Sequence, residues 1–131
     1  MATKIAADTQ ITGWEEHAYD VRKGEARTTR AKATKTYTGD IEGEASISYL
    51  MAYAEDGSAT FVGLERITGS VNGRKGSFAM THIGRFEAGV PRASVEVAPG
   101  SGTEELAGLK GKGEFVANGH AGTTSLRVTF G

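Results

Sequence analysis

The sequence predicts an all-β fold, a single closed antiparallel β-barrel of about eight strands in meander order across residues 1–131. Three observations carry that reading. Glycine-punctuated turns at Glu55-Asp56-Gly57, Asn72-Gly73 and Asn118-Gly119 separate long segments. Those segments alternate in side-chain character and are rich in Thr, Val, Ile, Tyr and Phe, residues that suit a pleated, half-buried surface. Several also exceed the usual five or six residues of a strand, and long antiparallel strands in a small protein favour closure into a tilted barrel, which leaves no unpaired edge.

In chain order, residues 4–17, 28–39, 44–54, 58–71, 74–86, 92–98, 112–117 and 123–130 read as strands. Helical periodicity is confined to one turn at Thr103-Glu104-Glu105-Leu106, where threonine suits a cap and the glutamates suit a helix start. The 19 glycines sit singly at turn-like intervals and there are only two prolines, so they punctuate strands and do not form a low-complexity tail.

Two turns set register. Asn72-Gly73 suits a two-residue type I′ loop pairing Val71 with Arg74, which places Gly63 opposite His82 and Glu65 opposite Met80. Glu55-Asp56-Gly57 suits a three-residue loop with a left-handed glycine, pairing Ala54 with Ser58. Tyr49 then faces Gly63, Ile47 faces Glu65, and Leu50 faces Val62. A two-residue Asp56-Gly57 loop would flip the preceding strand; the longer loop is preferred because it collects the bulky residues on one side.

That side carries Ile47, Tyr49, Met51, Tyr53, Phe61, Gly63, Glu65, Ile67, Phe78, Met80, His82, Gly84 and Phe86, and is read as the lumen. The opposite side carries Ser46, Ser48, Thr60, Arg66, Thr68, Ser77, Thr81 and Arg85, as a solvent face does. Within it, Leu50, Val62 and Ile83 fall in one cross-strand row beside Leu64, a pattern expected of a homo-oligomer contact.

Composition excludes several functions. There is no cysteine, so thiol chemistry, disulfides and cysteine-ligated metals are out. The formal net charge is −1, which offers no field to recruit nucleic acid or an anionic membrane surface. The start, Met1 to Asp8, lacks the apolar run of a signal peptide, and no segment has the length of a membrane helix, so a soluble cytoplasmic protein is expected.

The candidate site follows from register. Tyr49, Gly63 and His82 share a lateral row, and Glu65 lies diagonal to both polar side chains at about 5 to 8 Å. Gly63 leaves space between them. A carboxylate in an apolar barrel must be paired or hold its proton, and either state suits acid or base work. Glu65 is therefore the first catalytic candidate, with His82 as proton partner and Tyr49 as a donor to a substrate oxygen. The bland alternative is that Glu65 and His82 form a satisfied pair that only fixes the core. Lys35, if inward with Ala33 and Tyr37, would neutralise Glu65 or bind an anionic ligand, although a solvated head on an apolar stem is the commoner fate of a lone lysine. Trp14, Tyr37, Tyr53, Phe61, Phe78 and Met80 complete the candidate lining, although core or rim is the commoner place for a lone indole such as Trp14 in a small barrel.

His17 and His120 lie near strand ends without a neighbouring ligand at metal spacing, so no metal is expected. Arg27, Arg30 and Lys32 read as a solvated face. The glycine-rich stretch from Pro99 to Gly113 lacks phosphate-loop spacing and reads as turns.

Tyr49-Leu50-Met51-Ala52-Tyr53, Phe61-Val62-Gly63-Leu64-Glu65-Arg66, Gly76-Ser77-Phe78, and Pro99-Gly100-Ser101-Gly102-Thr103 followed by Leu106-Ala107-Gly108-Leu109-Lys110-Gly111 resemble a family of small bacterial domains of unknown function. The fold of that family is similar to the allene oxide cyclase barrel, and the resemblance covers nearly the whole chain. It implies an eight-stranded barrel; the wider superfamily includes cofactor-independent cyclases that steer a substrate inside the lumen, while similar barrels occur in dirigent-type proteins. No allene oxide cyclase catalytic motif matches residue by residue, so that reaction would be an analogy from fold.

The leading functional expectation is a cofactor-independent isomerase or cyclase acting on a small, largely apolar oxygenated metabolite in the lumen. A second is a binding or carrier barrel using the same cavity without chemistry. A third is a filled barrel acting only as a structural oligomer.

Overall fold

The structure is a computed structural model that describes residues 2–130. Eight strands, β1 (Thr3–Ala18), β2 (Arg27–Gly39), β3 (Ile41–Tyr53), β4 (Ala59–Val71), β5 (Arg74–Glu87), β6 (Val90–Val97), β7 (Leu109–Asn118) and β8 (Ala121–Phe130), pair antiparallel with their sequence neighbours, and β8 returns to β1 to close the barrel. The only helix among the described residues is a single 3-10 turn, Glu104–Leu106.

The two registers read from the turns hold. Val71 pairs with Arg74, Gly63 with His82 and Glu65 with Met80 across β4 and β5. Tyr49 pairs with Gly63 and Leu50 with Val62 across β3 and β4. Asn72 at φ 47° and Gly73 at φ 82° give the type I′ loop both left-handed positions that it needs. The lumen side is buried or half-buried, and Leu50, Val62, Leu64 and Ile83 are exposed by 43 to 63 % on the outer wall.

Four local features differ from expectation. β3 and β7 begin at Ile41 and Leu109, ahead of the expected 44 and 112. The glycines that suggested loop are strand positions: a Cβ at Gly113 would collide with the Ser125 carbonyl, and one at Gly43 with the Thr68 carbonyl, so their absence lets neighbouring strands close. The β5–β6 connection is a two-residue Ala88-Gly89 hairpin, and the last turn is Gly119-His120 between paired Asn118 and Ala121. Thr103 occupies the N-cap position, but its Oγ1 accepts from the Ser77 amide at 2.9 Å and makes no capping bond.

The barrel has two unlike ends. β6 pairs with β5 only from Glu87 to Met80, and the segment after it covers the remaining lower half of β5. There the Thr103 amide donates to the Ser77 carbonyl at 2.9 Å, the Lys75 amide to Glu105 Oε1 at 3.0 Å and the Ala79 amide to Ser101 Oγ at 3.0 Å. These bonds pin the 3-10 turn so that Leu106 enters the core as a plug with no exposed surface. Pairing at the opposite, upper end stops at the tight loops following β3, β5 and β7.

A bulge in β1 shapes that upper end. Ile11 pairs with Lys35 and Gly13 with Thr34, so Thr12 is an extra residue and parity changes across it. Residues 5, 7, 9 and 11 face the lumen below the bulge, whereas Trp14 pairs with inward Ala33 and Glu16 with inward Ala31 above it.

Replacing Leu106 with Ala should lower unfolding free energy by about 2–5 kcal/mol, the range for a buried leucine whose site cannot fully collapse. Urea unfolding of both proteins checks this, and a loss below half a kcal/mol would mean that the plug carries no structural weight.

Candidate functional site

The centre of the site is an ionic cluster in which no member has more than 2 % of its surface exposed except Tyr49, at 7 %. Glu65 projects from β4 into the lumen. His82 Nε2, from β5, lies 2.6 Å from Glu65 Oε1, and the Tyr37 hydroxyl, from β2, donates to Oε2 at 2.6 Å. Lys35 Nζ, two residues back on β2, stands 3.8 Å from the same Oε2. β2 and β4 meet across the lumen because both alternate inward at these positions, a consequence of period two.

Burial opposes ionisation of Glu65, but the His82 hydrogen bond, the Lys35 charge and the Tyr37 hydroxyl together outweigh it and hold the carboxyl below its ordinary range. Glu65 is therefore a carboxylate, and the His82 nitrogen facing it carries the hydrogen. Burial lowers the Lys35 ammonium against the opposing pull of Glu65. Burial and the same negative charge raise the hydroxyls of Tyr37 and Tyr49. Two polar atoms of the cluster remain buried without a hydrogen-bond partner: Lys35 Nζ and His82 Nδ1. The first sits 4.2 Å above the Phe115 ring and so receives only a cation–π contact there; His82 packs edge-on against Phe115 and Tyr49, at 5.8 and 6.1 Å between ring centres.

Above the cluster the lumen opens into a cavity of about 230 Å³. Trp14, Tyr53, Phe61, Phe86 and Phe115 supply most of its apolar wall. Lys35 and Tyr49 line it too, and they carry polar groups from the cluster to its wall, Lys35 through the Glu65 ion pair and Tyr49 beside the His82 ring. At the rim, Glu16 accepts from Tyr53 at 2.5 Å, Thr29 at 2.7 Å and Trp14 Nε1 at 3.3 Å. Burial tends to raise the Glu16 carboxyl, but those three donors bring it below its ordinary range.

The sequence-derived candidates divide between two levels. Glu65, His82 and Tyr37 meet in the sealed cluster, while Trp14, Lys35, Tyr49, Tyr53 and Phe61 line the cavity above it. Phe78 and Met80 belong to the packed core and do not reach the cavity. Gly63 admits no ligand: a Cβ there would lie 2.7 Å from Tyr49 Cδ1, so the tyrosine ring fills the space the glycine leaves. Lys35 is not the solvated surface lysine that a lone lysine usually is; the inward parity of Ala33 and Tyr37 extends to it. Sequence reasoning missed Ile11, Glu16, Pro91, Phe115 and Ala117. Phe115 and Ala117 follow from alternation in β7 once its register is fixed, but the β1 bulge leaves no signal that would place Glu16.

His17 has a carboxylate neighbour after all, Glu15 at 3.0 Å on the exposed face. Among the described residues no three His, Cys, Asp or Glu side chains gather as a metal site would require. Nor is any helix there long and apolar enough to cross a membrane.

A family model described as a protein of unknown function, DUF3224, matches residues 5–130. The chain belongs to the DUF3224 family. Among solved structures it is similar to a DUF3224 protein of unknown function from Shewanella oneidensis MR-1, with 27 % identity over 100 % of this chain and 99 % of that one and a TM-score of 0.81. No curated protein matches it. The two DUF3224 chains therefore share one fold over nearly all of the residues compared.

Glu65→Gln in this DUF3224 barrel should cost about 3–5 kcal/mol, because it strands the Lys35 ammonium in the interior. Adding Lys35→Met to it should cost less than the sum of the two single changes, as coupled partners do. The pH dependence has a definite sign. With its native pKa depressed, Glu65 stabilises the fold fully above the unfolded carboxyl value of 4.5, and that contribution disappears as pH falls through the lower native value. Denaturant melts from pH 7 to pH 2 should show a weaker acid dependence for Glu65→Gln than for the parent, and parallel curves would contradict the assignment.

Proposed function

We propose that the barrel binds a small, largely apolar, electrically neutral oxygenated molecule in the upper lumen, with its oxygen directed at Lys35 and Tyr49. One observation carries this reading: an apolar cavity of about 230 Å³ shares its wall with a buried ammonium that has no hydrogen-bond acceptor. The volume exceeds the roughly 150 Å³ void that takes up benzene, and lies below the usual range for drug-sized ligands, so the fit is to a molecule of about ten non-hydrogen atoms. Neutrality follows from charge. Lys35 and Glu65 already cancel, and a carboxylate ligand would bring uncompensated negative charge into a low-dielectric interior. A carbonyl or hydroxyl oxygen brings an acceptor without that penalty. This narrows the anionic ligand that the lysine alone would permit.

The cofactor-independent isomerase or cyclase reading is supported by the cluster itself. A buried ion pair contributes little net stability compared with apolar side chains of equal volume, so four polar groups joined in an apolar lumen favour a role in chemistry or specificity. Glu65 and His82 would hold and pass a proton, and Tyr49 would orient the substrate oxygen at the cavity wall. In that case Glu65→Gln abolishes turnover and keeps ligand affinity at a temperature where the variant is folded; unchanged turnover removes Glu65 from the mechanism. The outer row Leu50, Val62, Leu64 and Ile83 favours self-association of two copies through the same patch, since an apolar row meeting its own image hides both.

Benzyl alcohol should quench or shift the fluorescence of Trp14, the single tryptophan, with an affinity of about millimolar for a ligand so small. Ala117→Phe, which places a ring into the cavity, should abolish that response while changing stability by no more than about 1–3 kcal/mol. An unchanged titration in the filled variant would place the ligand elsewhere. Leu50→Asp should halve the mass seen by light scattering, and an unaltered mass would rule out the outer row as the contact.

A further inference from the structure

Lys35 is set apart from the other six lysines of the chain. Lys4, Lys23, Lys32, Lys75, Lys110 and Lys112 are all exposed, whereas Lys35 has 2 % of its surface accessible. Its Nζ lacks a hydrogen-bond partner, borders an apolar cavity through the face of Phe115, and has one carboxylate, Glu65, at 3.8 Å. An amine, an apolar chamber for an organic substituent and an adjacent proton acceptor are the three elements that a lysine needs to condense with a carbonyl compound.

We propose that Lys35 forms a covalent imine with a small apolar aldehyde or ketone held in the upper cavity. The inference rests on the cavity reading above and names its ligand class. Lys35 first passes one ammonium proton to Glu65 Oε2. The nitrogen lone pair then forms a C–N bond to the carbonyl carbon as the C=O π pair moves to oxygen, which takes the proton back from Glu65. In the resulting carbinolamine a second nitrogen proton, again handed through Glu65, reaches the hydroxyl. The C–O bond breaks, water departs into the cavity, and the nitrogen lone pair closes the C=N bond. The balance is ammonium plus carbonyl giving iminium plus water, with no oxidant or reductant.

Charge favours the product as well. The iminium keeps one positive charge beside the Glu65 carboxylate, so the buried pair is neutral before and after the reaction. Burial, which lowers the Lys35 ammonium, increases the share of free amine and works in the same direction. An exposed lysine near pH 7 is almost wholly protonated and gains neither advantage. His82 and Tyr37 complete the arrangement by occupying the remaining acceptor positions of Glu65 from below, which holds the carboxylate against the lysine.

The test uses the full chain with benzaldehyde and sodium cyanoborohydride at pH 7, followed by peptide mass spectrometry, alongside Trp14 fluorescence titrations with benzaldehyde and with benzyl alcohol. Lys35 should carry the reduced benzyl adduct with an occupancy at least about tenfold above any exposed lysine, reflecting the scarcity of free amine at ordinary lysines. Excess benzyl alcohol should suppress it by competing for the cavity. Ala117→Phe, which retains Lys35, should lose the adduct on Lys35 and keep the slow background on exposed lysines. If Trp14 reports binding of both compounds but the label is spread evenly over the lysines, the imine is overturned and the cavity reading stands. If neither compound perturbs Trp14 and Lys35 is unlabelled, both are overturned.

Discussion

The ionised state of Glu65 is the constraint on which this barrel turns. A carboxylate with no exposed surface survives only where donors surround it, and here His82, Tyr37 and Lys35 converge from β5 and β2 on a side chain carried by β4. Each donor has one position in its strand from which it can reach. A slip of one residue in any of the three strands would turn its contribution to solvent and leave the others charged or unpaired in the lumen. The cluster thereby specifies registry, a role for which buried polar groups are better suited than for adding net stability.

That dependence explains why so much of the arrangement was legible in the sequence. Asn72-Gly73 and Glu55-Asp56-Gly57 fix two hairpins by loop length alone, and period-two alternation then assigns every residue of β3, β4 and β5 to a face. Glu65, His82 and Tyr49 came together on paper for that reason. The far wall was not legible. β2 meets β3 through the single residue Asp40, but the first residues of β3 read as connection, which left the register of Lys35 against Glu65 open, and an isolated lysine reads as a surface residue. In β1 the bulge at Thr12 reverses parity in mid-strand, and alternation carried through it would send Glu16 outward along with Trp14. β7 was obscured by its own glycines, which resemble a loop in composition while serving as close-packing positions in a strand.

The asymmetry of the two ends has a covalent origin in strand length. β6, at eight residues, stops partway down β5, and the chain bridges the gap with a hydrogen-bonded strap whose 3-10 turn inserts Leu106. Below the cluster the lumen is consequently filled by Leu106, Ile67, Phe78, Val71 and Ile41. Above it, side chains from β1, β3, β4 and β7 approach as rings set at angles, with Tyr49 edge-on to Phe61 at 5.4 Å and tilted against Trp14 at 5.9 Å. Rings packed edge to face around a circular wall cannot fill its axis as branched aliphatics do, and the cavity is the residue of that mismatch.

The packed core and the cavity are therefore stacked along one axis with the ionic cluster between them. The lower half supplies the floor, where Leu106 and Met80 have no exposed surface. The floor in turn fixes Glu65, and Glu65 holds Lys35 at the boundary of the hollow half, where its Nζ is buried and has no hydrogen-bond acceptor. A surface lysine would meet that need with water. Lys35 has the Phe115 ring 4.2 Å from its Nζ, and no oxygen of the cavity wall, the Tyr49 and Tyr53 hydroxyls included, lies within hydrogen-bond reach of it, so a guest bearing an acceptor oxygen would supply what the wall does not. The unpartnered donor of this one ammonium, more than the volume above it, underlies the ligand preference we propose for the cavity.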